Sequence, residues 1–203
     1  MHSVKFVNEI VTPSKVVCVG RNYAAHIAEL NNETPTSMVL FVKPNSALTQ
    51  SLYAKHGSEQ LHYEAELCFL VKNKQLAGVG LGLDLTKRDL QTQLKQKSLP
   101  WERAKAFDGA ALFTEFVPVN ESGQYQFSLH IDGKLAQLGD TQLMIHTAQQ
   151  ILAEINEFMS LQDGDIIMTG TPEGVGKVIS GATFNVALKD DTTQVLTHQW
   201  QAI

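Results

Sequence analysis

Leu61-His62-Tyr63-Glu64-Ala65-Glu66-Leu67-Cys68-Phe69-Leu70 is a strand-like run broken by two acids, and the rest of the architecture is read from its place in a sheet. In an extended strand residues i and i+2 face the same way, so Glu64 and Glu66 stand side by side. Two like charges at that separation repel, and burial adds a desolvation cost. They therefore need a cation, a shared proton or open water. A carboxylate pair suits a hard cation such as Mg²⁺ or Mn²⁺. The same two residues also fit the wet face of an amphipathic strand, which is common in half-exposed sheets.

Outward from this run, which spans residues 61–71, other apolar and β-branched runs occupy residues 15–19, 38–42, 127–131, 165–169, 183–188 and 194–200. Asp132-Gly133 lies between two such segments and is the signal of a two-residue type I′ hairpin, since both residues tolerate positive φ. Three segments read as helix. In residues 144–159 the apolar positions Met144, Ile145, Ala148, Ile151, Leu152, Ile155, Phe158 and Met159 keep helical spacing, which predicts one face lying on a sheet. Thr86 followed by Asp89 resembles a capping box opening a polar helix to about residue 97, and residues 22–30 are a shorter candidate. Antiparallel hairpins with scattered helices give an α+β, mainly β, fold class. No repeat or linker divides the chain, so one domain over residues 1–203 is expected, with residues 1–14 as a short N-terminal extension.

Composition narrows the partners. The 203 residues carry 16 Lys and Arg against 21 Asp and Glu, a net charge of -5, with no basic run to follow a phosphate backbone or an anionic membrane. No nucleic-acid partner and no membrane partner are expected. Cys18 and Cys68 each sit in an apolar run, as small buried hydrophobes do, which fits a reducing compartment. The N-terminus lacks the basic-then-apolar order of a secretory signal, and a cytoplasmic location is expected.

Four further features could carry chemistry. Asp84 ends an apolar run just before a helix, where an acid also serves simply to complement the helix dipole. His26 and Glu29, three apart, share a helix face and could act as an acid–base pair or be an ordinary solvated pair. Lys105 has an apolar setting unusual for lysine, which snorkelling also explains. Thr169-Gly170-Thr171-Pro172-Glu173-Gly174-Val175-Gly176 could offer N–H groups to an anion, but it lacks the Lys-Ser/Thr ending of a P-loop.

The order of these blocks carries more than any one of them. Val16-Val17-Cys18-Val19-Gly20-Arg21-Asn22-Tyr23-Ala24-Ala25-His26, then His62-Tyr63-Glu64-Ala65-Glu66, Leu83-Asp84-Leu85-Thr86-Lys87-Arg88-Asp89-Leu90-Gln91, Leu99-Pro100-Trp101-Glu102-Arg103-Ala104-Lys105 and Gly164 through Gly176 resemble the fumarylacetoacetate hydrolase family. The resemblance spans about residues 15–190 and is strongest to the branch of small acylpyruvate hydrolases, oxaloacetate decarboxylases and oxaloacetate tautomerases. It implies a mixed β-roll with a few flanking helices, usually a homodimer. It also implies Glu64, Glu66 and Asp84 as ligands of one Mg²⁺ or Mn²⁺, which would remove the repulsion between the acids. Lys105 matches the family's active-site lysine, and His26 and Glu29 match the lid pair that activates water in hydrolytic members. Arg21, Lys43, Arg88, Gln91 and Thr171 fall where the family contacts substrate oxygens. One departure stands out: the segment from Glu66 to Asp84 is shorter than the family's usual span and lacks the stretch that usually forms a helix. After Lys105 the sequence also departs from the small polar and Cys-Pro stretch common in relatives.

The resemblance implies an enzyme acting on a small 2-oxo acid, by C–C hydrolysis of acylpyruvates or by decarboxylation or tautomerisation of oxaloacetate. A 2-hydroxyhepta-2,4-diene-1,7-dioate isomerase or hydratase, and a non-catalytic relative of the family, are the alternatives.

Overall fold

The computed structural model describes residues 1–203 apart from residues 31, 32, 34, 121, 122 and 192. In chain order the first elements are β1 (Val4–Phe6), β2 (Glu9–Val11), β3 (Lys15–Gly20), α1 (Ala24–Glu29), β4 (Val39–Pro44), β5 (Lys55–His56), β6 (Glu59–Gln60), β7 (His62–Tyr63), β8 (Ala65–Lys72), β9 (Gln75–Asp84), α2 (Arg88–Gln96) and α3 (Glu102–Lys105). There follow β10 (Ala111–Phe113), β11 (Val117–Pro118), β12 (Tyr125–Ile131), β13 (Lys134–Asp140), α4 (Ala148–Phe158), β14 (Ile166–Met168), β15 (Gly176–Lys177), β16 (Thr183–Asp190) and β17 (Thr193–Gln201). Strands outweigh helices, as the α+β, mainly β reading expects.

The larger sheet runs β10-β9-β8-β14-β3-β4, with β11 also on β9, and the smaller runs β13-β12-β16-β17. β14 is parallel to β3 and antiparallel to β8, so the larger sheet is mixed. Alternation along β8 sorts its side chains. Leu67 and Phe69 join the cluster that holds Phe127, Leu129, Phe184, Val186 and Leu188 of the smaller sheet. Cys68 and Leu70 face the other way, with Val16, Cys18, Met168, Phe113 and Phe116. Ile151, Leu152 and Ile155 of α4 pack on Val17, Val19, Val71 and Ile167. Burying each of these three helix side chains is worth roughly 1.5–3 kcal/mol. Among the described residues no helix is long and apolar enough to cross a membrane.

The expected Asp132-Gly133 turn is present: β12 pairs with β13 through Ile131 and Lys134, and both turn residues have positive φ, 49° and 79°. Three expectations shift. The helix expected from Met144 starts at Ala148, under a capping box of Thr147 and Gln150. Residues 144–146 are drawn off it because Asn22 takes the Ile145 N–H on its carbonyl and the His146 N–H on its side-chain oxygen, at 2.9 and 2.7 Å. Thr86 caps nothing: α2 starts after Lys87 without a side-chain cap, because the Thr86 hydroxyl turns inward to Lys105. The run 61–71 is two strands, β7 and β8, with Glu64 between them.

β9 carries no strand signal in its sequence. It carries Gly78, Gly80 and Gly82, and glycine is depleted in strands. The structure needs them: a Cβ at Gly82 would sit 2.8 Å from the Phe113 ring and 2.9 Å from Cys68 Sγ. The shortened segment between the acids is closed by Asn73-Lys74, both with positive φ (54° and 61°), which joins β8 to β9 in a two-residue hairpin where relatives were expected to hold a helix.

Candidate active site

The hairpin brings the acids together. β8 and β9 pair Ala65 with Leu83 and Glu66 with Gly82, and beyond them Asp84 N–H donates to the Glu64 carbonyl at 2.9 Å. Glu64 and Asp84 are thus opposite one another, and Glu66 lies one pleat along the same face, beside a glycine. All three carboxylates are buried, and one oxygen from each lies within 4.8 Å of the others.

Three cations meet them. Lys105 Nζ donates to Glu64 Oε2 at 2.8 Å, Asp84 Oδ2 at 2.7 Å and Thr86 Oγ1 at 2.6 Å, which uses all three of its protons. Arg88 donates to Glu64 Oε1 and to Gln91 Oε1. Lys43 lies 2.8 Å from Asp84 Oδ1 but donates to the Lys105 carbonyl. Its approach to Oδ1 has the distance of an ion pair without the angle of a hydrogen bond, so that oxygen has a positive charge beside it but, among the described residues, no hydrogen-bond donor.

The electrostatics split the acids. Burial works to raise the Glu64 carboxyl, but Lys105 and then Arg88 hold it well below the ordinary range. Burial, then the Asp84 and Glu64 charges, push Glu66 well above it; Glu66 has the Gly170 N–H at 2.7 Å but, among the described residues, no cation within ion-pair distance. Burial works to lower Lys105, yet Asp84 and Glu64 win and hold it above its usual value. Three converging buried carboxylates, with Asp84 Oδ1 lacking a hydrogen bond and Glu66 lacking an ion pair among the described residues, fit a hard divalent cation held by oxygen.

His26 and Glu29 form the expected pair on α1, with His26 Nδ1 3.0 Å from Glu29 Oε2. The other carboxylate oxygen accepts from Gly174 N at 3.0 Å, tying α1 to the loop after β14. Thr171 lines the cleft, but its hydroxyl donates to the Ala65 carbonyl and accepts from Gln137 Nε2, both at 2.8 Å. The proton a substrate oxygen would take is already committed. Lys43, also expected at the substrate, is fully buried behind Asp84 and does not line the cleft. Arg21, Arg88 and Gln91 do line it, together with His26, the three acids and Lys105, around a narrow space of about 30 Å³. Arg21 adopts φ of 61°, a left-handed conformation uncommon for a side-chain-bearing residue and typical of a constrained site.

Two residues at the site went unread in the sequence. Gln137 is buried on β13 and accepts the Ala65 N–H between the two glutamates. A lone glutamine in a strand carries no local signal. Lys95 lines the cleft from α2, and its signal was available: positions 88, 91 and 95 keep the spacing of one helix face.

The family model described as fumarylacetoacetate (FAA) hydrolase C-terminal matches residues 15–199. The chain belongs to the fumarylacetoacetate hydrolase family. It is 40% identical over 203 residues to oxaloacetate tautomerase YcgM of Escherichia coli strain K12, covering 90% of this chain and 93% of that protein. A crystal structure of a candidate fumarylacetoacetate isomerase/hydrolase from Oleispira antarctica superposes with a TM-score of 0.93 at 38% identity, covering all of both chains. The fumarylpyruvate hydrolase of Pseudomonas aeruginosa, solved with Mn²⁺ and pyruvate, superposes with a TM-score of 0.89 at 28% identity, covering 100% of this chain and 95% of that one. The fumarylacetoacetate hydrolase fold is therefore retained here with a two-residue hairpin, its register shifted once between Leu70 and Val71, between the second glutamate and the aspartate.

Proposed function

We propose that this chain is a divalent-metal-dependent enzyme that interconverts the keto and enol forms of oxaloacetate. The observation that carries the reading is the convergence of Glu64, Glu66 and Asp84 on one buried point beside Lys105. The likeness to a named oxaloacetate tautomerase across nearly the whole chain supports the substrate. Glu64, Glu66 and Asp84 would hold the Mg²⁺ or Mn²⁺, which when bound supplies Lewis acidity at the 2-oxo oxygen and neutralises the acids.

The chain's own groups do the rest. Glu29 Oε2 takes the Nδ1–H of His26 and so leaves the lone pair on Nε2, the nitrogen available to a proton at C3 of the oxo acid. Lys105 Nζ holds positive charge beside the oxygen that becomes negative as the C3–H bond breaks. The proton lost from C3 ends on the C2 oxygen in the enol, and the reverse sequence regenerates the ketone. A second reading, C–C hydrolysis of an acylpyruvate, is favoured by the same His26–Glu29 pair, which could direct a water instead.

The test is the ultraviolet absorbance of enol oxaloacetate followed with and without Mn²⁺ or Mg²⁺, for wild type, Glu66→Ala and His26→Ala, with acetylpyruvate cleavage alongside. Metal-dependent tautomerisation lost in Glu66→Ala supports the proposal. Metal-dependent cleavage of acetylpyruvate without tautomerisation moves it to the second reading. Turnover of neither compound sinks both.

A further inference from the structure

One wall of the cleft is cationic beyond what the acids require. Arg88, Gln91 and Lys95 lie on one face of α2, and Arg21 enters the same cleft from the end of β3. The Lys95 ammonium sits 5.1 Å above the Trp101 ring, and among the described residues no carboxylate pairs with it. Arg88 spends its terminal nitrogens on Glu64 and Gln91, while its buried Nε has no hydrogen-bond partner among the described residues. Burial, then the charges of Arg21 and Arg88, pull Lys95 down to about 8, as for an ammonium held among cations without its counter-ion. An anion arriving there would relieve that repulsion and complete the Arg88 hydrogen bonding.

We propose that Lys95 is a specificity-determining residue that binds the distal carboxylate of a four-carbon 2-oxo dicarboxylate, with the Arg88 and Arg21 guanidiniums beside it. This rests on the 2-oxo acid reading and sharpens it. The acids and Lys105 serve the 2-oxo end that every member of the substrate class shares, whereas Lys95 separates dicarboxylates from monocarboxylates. A residue that only packed on Trp101 would not make that distinction.

Unreactive probes test it without relying on turnover. Malate and lactate differ by one carboxylate, and calorimetric titration of each into Mg²⁺-loaded protein compares them directly. In Lys95→Met, which keeps the contact with Trp101, malate should bind about tenfold more weakly while lactate is unchanged, and Lys95→Arg should recover most of the loss. The KM for oxaloacetate should rise in Lys95→Met by more than kcat falls. The proposal is overturned if wild type binds malate no better than lactate, or if Lys95→Met weakens both equally or neither. Failure of the tautomerase reading looks different: wild type would bind malate in preference to lactate and yet leave oxaloacetate unchanged.

Discussion

Gln137 Oε1 accepts the backbone N–H of Ala65, the residue between the two glutamates, at 2.9 Å. Its Nε2 donates to Thr171 Oγ1 and the Pro172 carbonyl, at 2.8 and 2.9 Å, and Thr171 closes the ring by donating back to the Ala65 carbonyl. β13 of the smaller sheet thus sets the backbone position from which Glu64 and Glu66 project.

Gln137→Leu keeps the size and strands the Ala65 N–H and Pro172 carbonyl in the core. Stability should fall by about 3 kcal/mol, the cost of two unsatisfied buried groups. Urea unfolding measures this, and Mn²⁺ affinity should fall with it. A variant as stable as wild type would show that the ring is dispensable.

Asp165 contributes to acid stability. Its side chain is fully buried and accepts from the backbone of Ser14, Lys15 and Gln162 and from Lys15 Nζ. Burial works to raise its carboxyl, but the Gln162 N–H, Lys15 and Ser14 hold it below the ordinary value. The unfolded value is about 3.9, so this stabilisation is complete above that pH and drains away as pH falls through the lower folded value. Asp165→Asn should cost about 3 kcal/mol at pH 7, and the gap from wild type should narrow below about pH 4. Urea midpoints across pH 3 to 7 decide it, and a gap independent of pH would rule the carboxylate out as the cause.

The sequence made most of the sheet legible because the strands that build it are apolar and β-branched, while β9 hid behind Gly78, Gly80 and Gly82. Its glycines answer to Phe113, Phe116 and Phe6, partners distant in the chain that no local pattern encodes. Glu64 and Glu66 could be paired by strand alternation alone, but joining Asp84 to them needed the β8–β9 register, which the Asn73-Lys74 turn and the register shift between Leu70 and Val71 set together. Position in the family's motifs assigns Lys43 and Thr171 to the substrate, and Thr171 does line the cleft. Burial and hydrogen bonding place the Lys43 ammonium behind Asp84 and the Thr171 hydroxyl in the Gln137 ring.

Lys105 offers a test of whether cation and lysine share one job. It bridges Glu64 and Asp84, so Lys105→Met should cost metal-free protein about 3 kcal/mol, as breaking a buried charge pair does. Saturating Mn²⁺ neutralises the same acids and should raise the melting temperature of the variant by more than it raises that of wild type. Equal gains, or none, would count against a cation at this site.

Glu29 controls which nitrogen of His26 carries the proton. In Glu29→Gln the amide oxygen can keep the Gly174 N–H, which turns the amide nitrogen, a donor, toward His26 Nδ1. Nδ1 must then accept, so the ring proton moves to Nε2 and the lone pair facing the cleft is lost. Tautomerisation by the variant should fall about 100-fold, within the usual contribution of general acid–base catalysis. Glu29 touches none of the three acids, so Mn²⁺ affinity by calorimetry should stay within about twofold of wild type, well under the 1.4 kcal/mol that a tenfold change represents. A large drop in kcat with intact Mn²⁺ binding assigns the pair to proton transfer. Turnover close to wild type would remove the His26–Glu29 pair as the base.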